Sequence, residues 1–461
     1  MTTTRARLAV AALLLAVVGG ALFAQSGRIR VRTGPITVSP RINITPQMLW
    51  GHDGGPGPDS VQVRAMLDAL GRSDAAVCEL AVDMLGNSWG GWTSREIGSF
   101  SDVSVTPAAR TAFEGRVKDA GAIAVLAATF DESNACVRRA AARLLGQSNA
   151  PAARDRLRAA FRSGSPRSRE AAALGLGTAE DLESFDALVR ALGGGEAGVA
   201  RMSAWALGQI EDARAVEPLA EAMRSRDRGV RLAAIWALGE IEDAKAVRPL
   251  LGALDDSDVA LRVAAIDALG QIEDGAAVER LNRSLEDREL VVRIAAARAL
   301  GEIEDARAVP ALIRTLRSDD AELRAVSARA LGEIEDPRAG DALGAALSDR
   351  DVTVRHAAIH ALANLDELSS APAGLIAVLR DPSPEMRQTA AHALGEIGDP
   401  EAVPALAAAY RADEHVDVRR SIIHALGEIE GNRATETLVA AMKDSDAEVR
   451  RAAAHALGER D

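Results

Sequence analysis

The stretch "IEDAKAVRPLLGALDDSDVALRVAAIDALG", Ile241 to Gly270, decides the fold, because it holds one complete structural unit. Asp243 stands where a side-chain oxygen caps a helix start, and Val247, Leu250 and Leu254 then recur at helical spacing. A second helix is expected to begin near Ser257. Gly270 is expected to close it in the left-handed conformation, with Ile272 folding back over the last turn. Neither short helix can bury its apolar face alone. Ala264, Ala265 and Ala268 allow a neighbouring unit to approach closely.

The unit repeats. "WALGQIED" begins at Trp205, "WALGEIED" at Trp236, "DALGQIED" at Asp267 and "RALGEIED" at both Arg298 and Arg329. Leu207, Leu238, Leu269, Leu300, Leu331 and Leu362 are spaced by 31 residues, and Leu394, Leu426 and Leu457 follow by 32, 32 and 31. The same step backward reaches Leu176 and Leu145. A fixed period of this size with two helical patterns per unit signals a solenoid. Asp336–Pro337, Asp399–Pro400, Ser383–Pro384 and a capping box at Ser445 to Glu448 supply further helix starts. The expected fold is an all-α, right-handed α-solenoid of about thirteen two-helix repeats over residues 60–461.

Residues 1–24 read as an export signal. Arg5 and Arg7 precede the apolar run Leu8 to Phe23, and Ala24 offers a cleavage position. An uncleaved anchor helix is the other reading, although the run is short for a membrane span. Export predicts a bacterial periplasmic or extracellular location. Residues 25–59 form an extended segment and a Gly/Pro-rich linker. Residues 87–103 insert an aromatic loop, with Trp89, Trp92 and Phe100, beside a degenerate helix around Phe113. The loop is either a protruding contact or a flap over the apolar end of the stack. The last unit, "HALGERD", places Arg460 where earlier units carry Ile, which suits a terminal cap.

Composition narrows the function. The formal charge is −13, and phosphate binding needs clustered Lys and Arg, so no nucleic-acid partner is expected. No membrane insertion is expected after signal cleavage. Cys78 and Cys136 fall on different repeats in different columns, so two mostly buried thiols are expected rather than a disulfide.

The motif D-x-x-V-R-x-A-A-x-x-A-L-G-x-I resembles the HEAT-like repeats named after phycobilisome lyases, over roughly residues 60–461. That family includes scaffolds, bilin lyases and deoxyhypusine hydroxylases, so the resemblance implies the fold and leaves the activity open. It also implies that the second helices line the concave side. The hydroxylases are similar but carry His-Glu pairs that bind two irons. Here only His356 matches the His, and Ala357 stands in place of its Glu, so di-iron chemistry is not expected.

The candidate site lies on the second helices. Two residues before the aligned leucine stand Trp205, Trp236, Asp267, Arg298, Arg329, His360, His392, His424 and His455. Leu232 and Val263, six before the leucine, share that face. One reading is a graded groove: Trp205 and Trp236 as aromatic anchors, Arg298 and Arg329 holding acidic groups, and the histidines adding pH dependence. Trp89 and Trp92 would add contacts from the loop. The other reading is duplication, with these residues packing against neighbouring units. His356 and His360, one turn apart, are a weak candidate for a metal, and no cofactor is expected. No Gly-rich phosphate loop, G-x-S-x-G, H-E-x-x-H or C-x-x-C occurs, and no catalytic residue is assigned. The expected function is an exported scaffold that binds protein or peptide along the concave face. A lyase or metal-dependent oxidoreductase on the same scaffold is the alternative.

Overall fold

The computed structural model describes residues 58–72, 117–148, 150–365, 368, 370–429 and 432–458. Among them are twenty-three α-helices and nine short 3-10 turns, and no strand. The signal segment 1–24, most of the 25–59 segment, the 87–103 loop with Trp89 and Trp92, the helix around Phe113, Cys78 and the final residues with Arg460 lie outside the described residues. The chain divides into two compact units, 1–241 and 242–461. Both are built from the same α-solenoid repeat, and eleven two-helix repeats are complete between Ala120 and Gly458.

Local chemistry starts each repeat where the sequence places it. Asp243 accepts the backbone N–H of Lys245 at 2.8 Å, and Asp212, Asp274, Asp305, Asp336 and Asp399 do the same for the residue two further on. Each cap opens a 3-10 turn that runs into the first helix, as Ala244–Ala246 runs into Val247–Ala253. Second helices are capped in turn: Asp258 accepts the N–H of Ala260, and Ser383 that of Met386 with Pro384 following. At the first helix, Asp59 accepts the N–H groups of Val61 and Gln62 while its own N–H donates to Gln62 Oε1, a reciprocal capping box. The box expected at Ser445 does not form. Asp446 caps that helix instead, accepting the N–H groups of Glu448 and Val449, because its carboxylate stands one residue nearer the first turn.

The helix ends correct the expectation at Gly270. Gly270 lies inside the helix Val259–Ile272, and the left-handed residue is Glu273, with φ of 54°. Glu180, Glu211, Glu242, Glu304 and Glu335 repeat this, and among the described residues only Gly398 fills the position with glycine. Gly270 is needed for room: a Cβ there would lie 2.1 Å from Glu302 Oε2 and 3.1 Å from Ala299 Cβ of the next repeat.

The core follows the aligned leucines. Leu207, Leu238, Leu269, Leu300, Leu331, Leu362, Leu394 and Leu426 have no exposed surface, and neither do Leu219, Leu250, Leu281, Leu312, Leu343, Leu375, Leu406 and Leu438 of the first helices. Within each unit, second helices pack on their own first helices and on the second helix of the next repeat, as Ala197–Ile210 packs on Arg228–Glu240 in the first unit and Ala321–Glu333 on Val352–Asn364 in the second. Fully buried alanines, Ala265, Ala296 and Ala328 among them, hold these helices close.

A polar ladder runs beside this core. Arg324 donates to the Asp349 carboxylate of the next repeat at 2.7 and 2.8 Å and to the carbonyls of Ser318 and Asp319. Arg262 with Asp287, Arg387 with Asp413 and Arg419 with Asp444 repeat the arrangement. These arginine side chains are 6–13% exposed. Each guanidinium therefore has its charge paired, which a buried ion requires, although the buried Nε of Arg262 has no hydrogen-bond partner.

The N-terminal end departs from expectation at the cysteines. Cys136 is disulfide-bonded, and Cys78 is the only other cysteine in the sequence. The expectation of two thiols rested on the two cysteines falling on different repeats in different columns. Helix Ser60–Gly71 packs on Ala120–Ala128 and Ala135–Gly146, which brings the first repeat against the one that carries Cys136. Asp119 is the N-cap of Ala120–Ala128, accepting the N–H of Ala122 at 2.7 Å.

Candidate functional site

The second helices put one residue per repeat at the position two before the buried leucine. That position has no constant environment. Trp205 is 4% exposed, Trp236 and Asp267 are half-buried, and Arg298, Arg329, His360, His392, His424 and His455 are exposed. Trp205 and Trp236 stack, with ring centroids 6.3 Å apart and planes 15° from parallel. The Trp205 ring also covers Gly177, where a Cβ would meet it at 2.8 Å, and Trp236 covers Gly208 in the same way at 2.9 Å.

These positions correct part of the expected groove. Trp205 is packing, not an accessible anchor, and Val263 is buried at 3% exposure, so neither offers surface to a partner. Trp205 loses water because its ring stacks on Trp236 and covers the notch over Gly177. Leu232 and Trp236 stay half-exposed. Trp89 and Trp92 lie outside the described residues.

Four residues on from the eight positions Trp205 to His424, the next turn carries a second column: Gln209, Glu240, Gln271, Glu302, Glu333, Asn364, Glu396 and Glu428. Its charges interact with the first column. Arg298 lies 2.6 Å from Asp267 of the preceding repeat and 3.8 Å from Glu302. Burial lifts the carboxyls of Glu302 and Glu333 above the usual range, and the nearby Arg298 and Arg329 offset part of that lift. His392 Nδ1 lies 3.8 Å from Glu396. The ligand atoms of His392, Glu396 and Glu428 all fall within 4.8 Å of one another.

His356 and His360 share a helix, Val352–Asn364, with His356 half-buried and His360 exposed. No carboxylate joins them in a three-residue metal-type cluster among the described residues. The residue one turn beyond His360 is Asn364, where the repeat of His392 has Glu396. The spacing of 32 residues between His392–Glu396 and His424–Glu428 is the signal that would have found the better site.

Capped two-helix repeats, a buried leucine ladder and small inter-repeat contacts define a HEAT-type repeat protein. The chain belongs to the HEAT repeats family, whose model matches residues 122–204, 186–262, 247–325, 314–373 and 372–458. Among solved structures it is similar to importin beta, at 15% identity and a TM-score of 0.51, covering 86% of this chain and 60% of that one. It is also similar to a chain of the CpcE–CpcF complex of phycocyanin lyase from Nostoc sp. PCC7120. That match has 26% identity and a TM-score of 0.31 and covers 49% of this chain and 92% of that one. No curated protein sequence matches the chain. Among the described residues no helix is long and apolar enough to cross a membrane.

Proposed function

We propose that this chain is an exported scaffold that holds a protein or peptide partner against the exposed face of its second helices. The observation that carries this reading is the open column in residues 298–455. Arg298, Arg329, His360, His392, His424 and His455 are exposed in six successive repeats. Five of them stand one turn before Glu302, Glu333, Asn364, Glu396 and Glu428. A donor and an acceptor thus recur at the repeat spacing along one face. An extended polypeptide with acidic and amide groups matches that pattern, and Arg is the residue best suited to grip carboxylates. In residues 1–241, half-exposed Trp236 and Leu232 supply an apolar contact.

Two features support export. Arg5 and Arg7 precede the apolar run Leu8 to Phe23, and Cys136 is disulfide-bonded, as persists in oxidising compartments. A mature N-terminus at Gln25 is expected on the protein recovered from cells.

Affinity capture from the native envelope fraction tests the binding face. The unmodified chain is expected to retain a defined partner, and Arg329→Glu with His360→Glu is expected to reduce its recovery at least about tenfold. Charge reversal at two exposed contacts costs about 1.4 kcal/mol or more in such an interface. Equal recovery with both chains overturns the assignment of the face.

A further inference from the structure

We propose that His392, Glu396 and Glu428 form a binding site for one divalent transition-metal ion of the zinc class. Helix Pro384–Ile397 presents His392 and Glu396 on consecutive turns, so the imidazole and the carboxylate point the same way. Helix Val416–Glu428 ends on Glu428, the third ligand. The three candidate ligand atoms lie within 4.8 Å of one another, and His392 Nδ1 is 3.8 Å from Glu396 Oε1. A tetrahedral ion with bonds of about 2.0–2.2 Å needs only a small closing movement of these exposed side chains.

Gly395 makes the site possible. Its missing Cβ leaves room for Glu428 Oε2, which lies 2.2 Å from where that Cβ would be. The carboxylate of one repeat therefore reaches between His392 and Glu396 of the repeat before it. Both glutamates also sit in the last turn of their helices, where the backbone dipole disfavours anions and favours a cation.

The sister repeats show why a metal fits here. Arg298 stands where His392 does and places its own guanidinium 3.8 Å from Glu302. Arg329 stands likewise one turn before Glu333. There the chain supplies the cation to its carboxylate. At residue 392 it supplies a neutral-capable nitrogen ligand instead, beside two carboxylates. One imidazole and two carboxylates suit Zn²⁺ and its neighbours Co²⁺ and Ni²⁺, and leave a fourth position for water or a partner group.

The test uses the full chain without an affinity tag, stripped with chelator and titrated with ZnCl₂ by calorimetry. One ion is expected to bind more tightly than any other. His392→Ala and Glu428→Gln are each expected to weaken that ion at least about tenfold, since removing even an outer-shell partner costs that much. His360→Ala, on the same column without the carboxylates, is expected to leave it unchanged. All three positions are exposed, and circular dichroism confirms that the variants stay folded. Visible absorption of bound Co²⁺, lost in His392→Ala, would show the imidazole ligand directly. No saturable zinc binding in the unmodified chain, or equal affinity in His392→Ala and Glu428→Gln, overturns the site.

Discussion

Trp205 and His424 occupy the same position in their repeats, yet one is 4% exposed and the other is open to solvent. In residues 1–241 the tryptophan rings of this column fill the notches over Gly177 and Gly208. In residues 242–461 the notches over Gly270, Gly301 and Gly395 are filled by carboxylates of the following repeat, Glu302, Glu333 and Glu428. The same glycine gap is thus sealed by packing in one region and lined with ionisable groups in the other. A repeat position fixes the face of a helix, and what fills the gap beside it fixes whether that face can meet a ligand.

The largest effect expected from this contrast is on stability. Trp205→Ala removes a stacked, buried ring and leaves a cavity, at a cost of about 4 kcal/mol. His424→Ala removes an exposed side chain and should change stability by less than about 0.5 kcal/mol. Urea titration of both variants compares them directly. A similar cost at the two positions would mean that the column is packed uniformly, and the open face assigned to residues 298–455 would be lost.

The arginine ladder comes next. Arg419 and Asp444 are 13% and 7% exposed, whereas Arg214 pairs with Asp212 on the surface, 65% exposed. Arg419→Ala leaves Asp444 buried without its partner and should cost about 3 kcal/mol. Arg214→Ala, at an exposed pair screened by solvent, should move the unfolding midpoint far less. The pH dependence follows from the same pair. Burial by itself raises the Asp444 carboxyl, but hydrogen bonds from Arg419, the Asp446 N–H and Tyr410 outweigh it and bring the group down to about 2. Its folded value lies below the unfolded value of about 3.9, so the stabilisation is complete above about pH 4 and is lost as pH falls toward 2. Asp349 and Asp413 are lowered by their own arginines, and Asp287 by the Glu289 N–H and Arg262, so they add in the same direction. Acid unfolding of Arg419→Ala should therefore begin at higher pH and be less steep than that of the unmodified chain. Superimposable acid curves would remove the ladder from the account.

The repeat was legible because its signals are local. Asp243, Asp336, Asp399 and Ser383 cap helices where their spacing from the next apolar residue places them. The ladder was not read, although Arg324 and Asp349, or Arg419 and Asp444, are 25 residues apart in each case. That interval is shorter than the 31-residue period, so it stays hidden when repeats are aligned to themselves. Gly270 was misread for a related reason. Glycine near a helix end usually supplies the left-handed residue, but here it admits Glu302 from the next repeat, a contact that only stacking creates. The residues two before the aligned leucine do share one position on their helices, from buried Trp205 to exposed His455. Its exposure depends on neighbouring repeats, so sequence could not separate Trp205 from His424.

The smallest effect concerns the left-handed position itself. Among the described residues six repeats put glutamate there, with φ between 49° and 57°, and one puts Gly398, with φ of 67°. A non-glycine residue in this region costs about 1–2 kcal/mol, while glycine returns about 0.5–1 kcal/mol of that through its larger unfolded-state entropy. Glu273→Gly should therefore stabilise residues 242–461 by up to about 1 kcal/mol. It also removes a negative charge that helps raise the Glu302 carboxyl, so both contributions favour the variant. Gly398→Glu should cost about 1 kcal/mol by the same reasoning in reverse. A shift of the urea midpoint in opposite directions for the two variants is the expected result. A loss of stability in Glu273→Gly would show that the glutamate side chain makes a compensating interaction at the repeat junction, and that the six glutamates are retained for it despite the backbone cost.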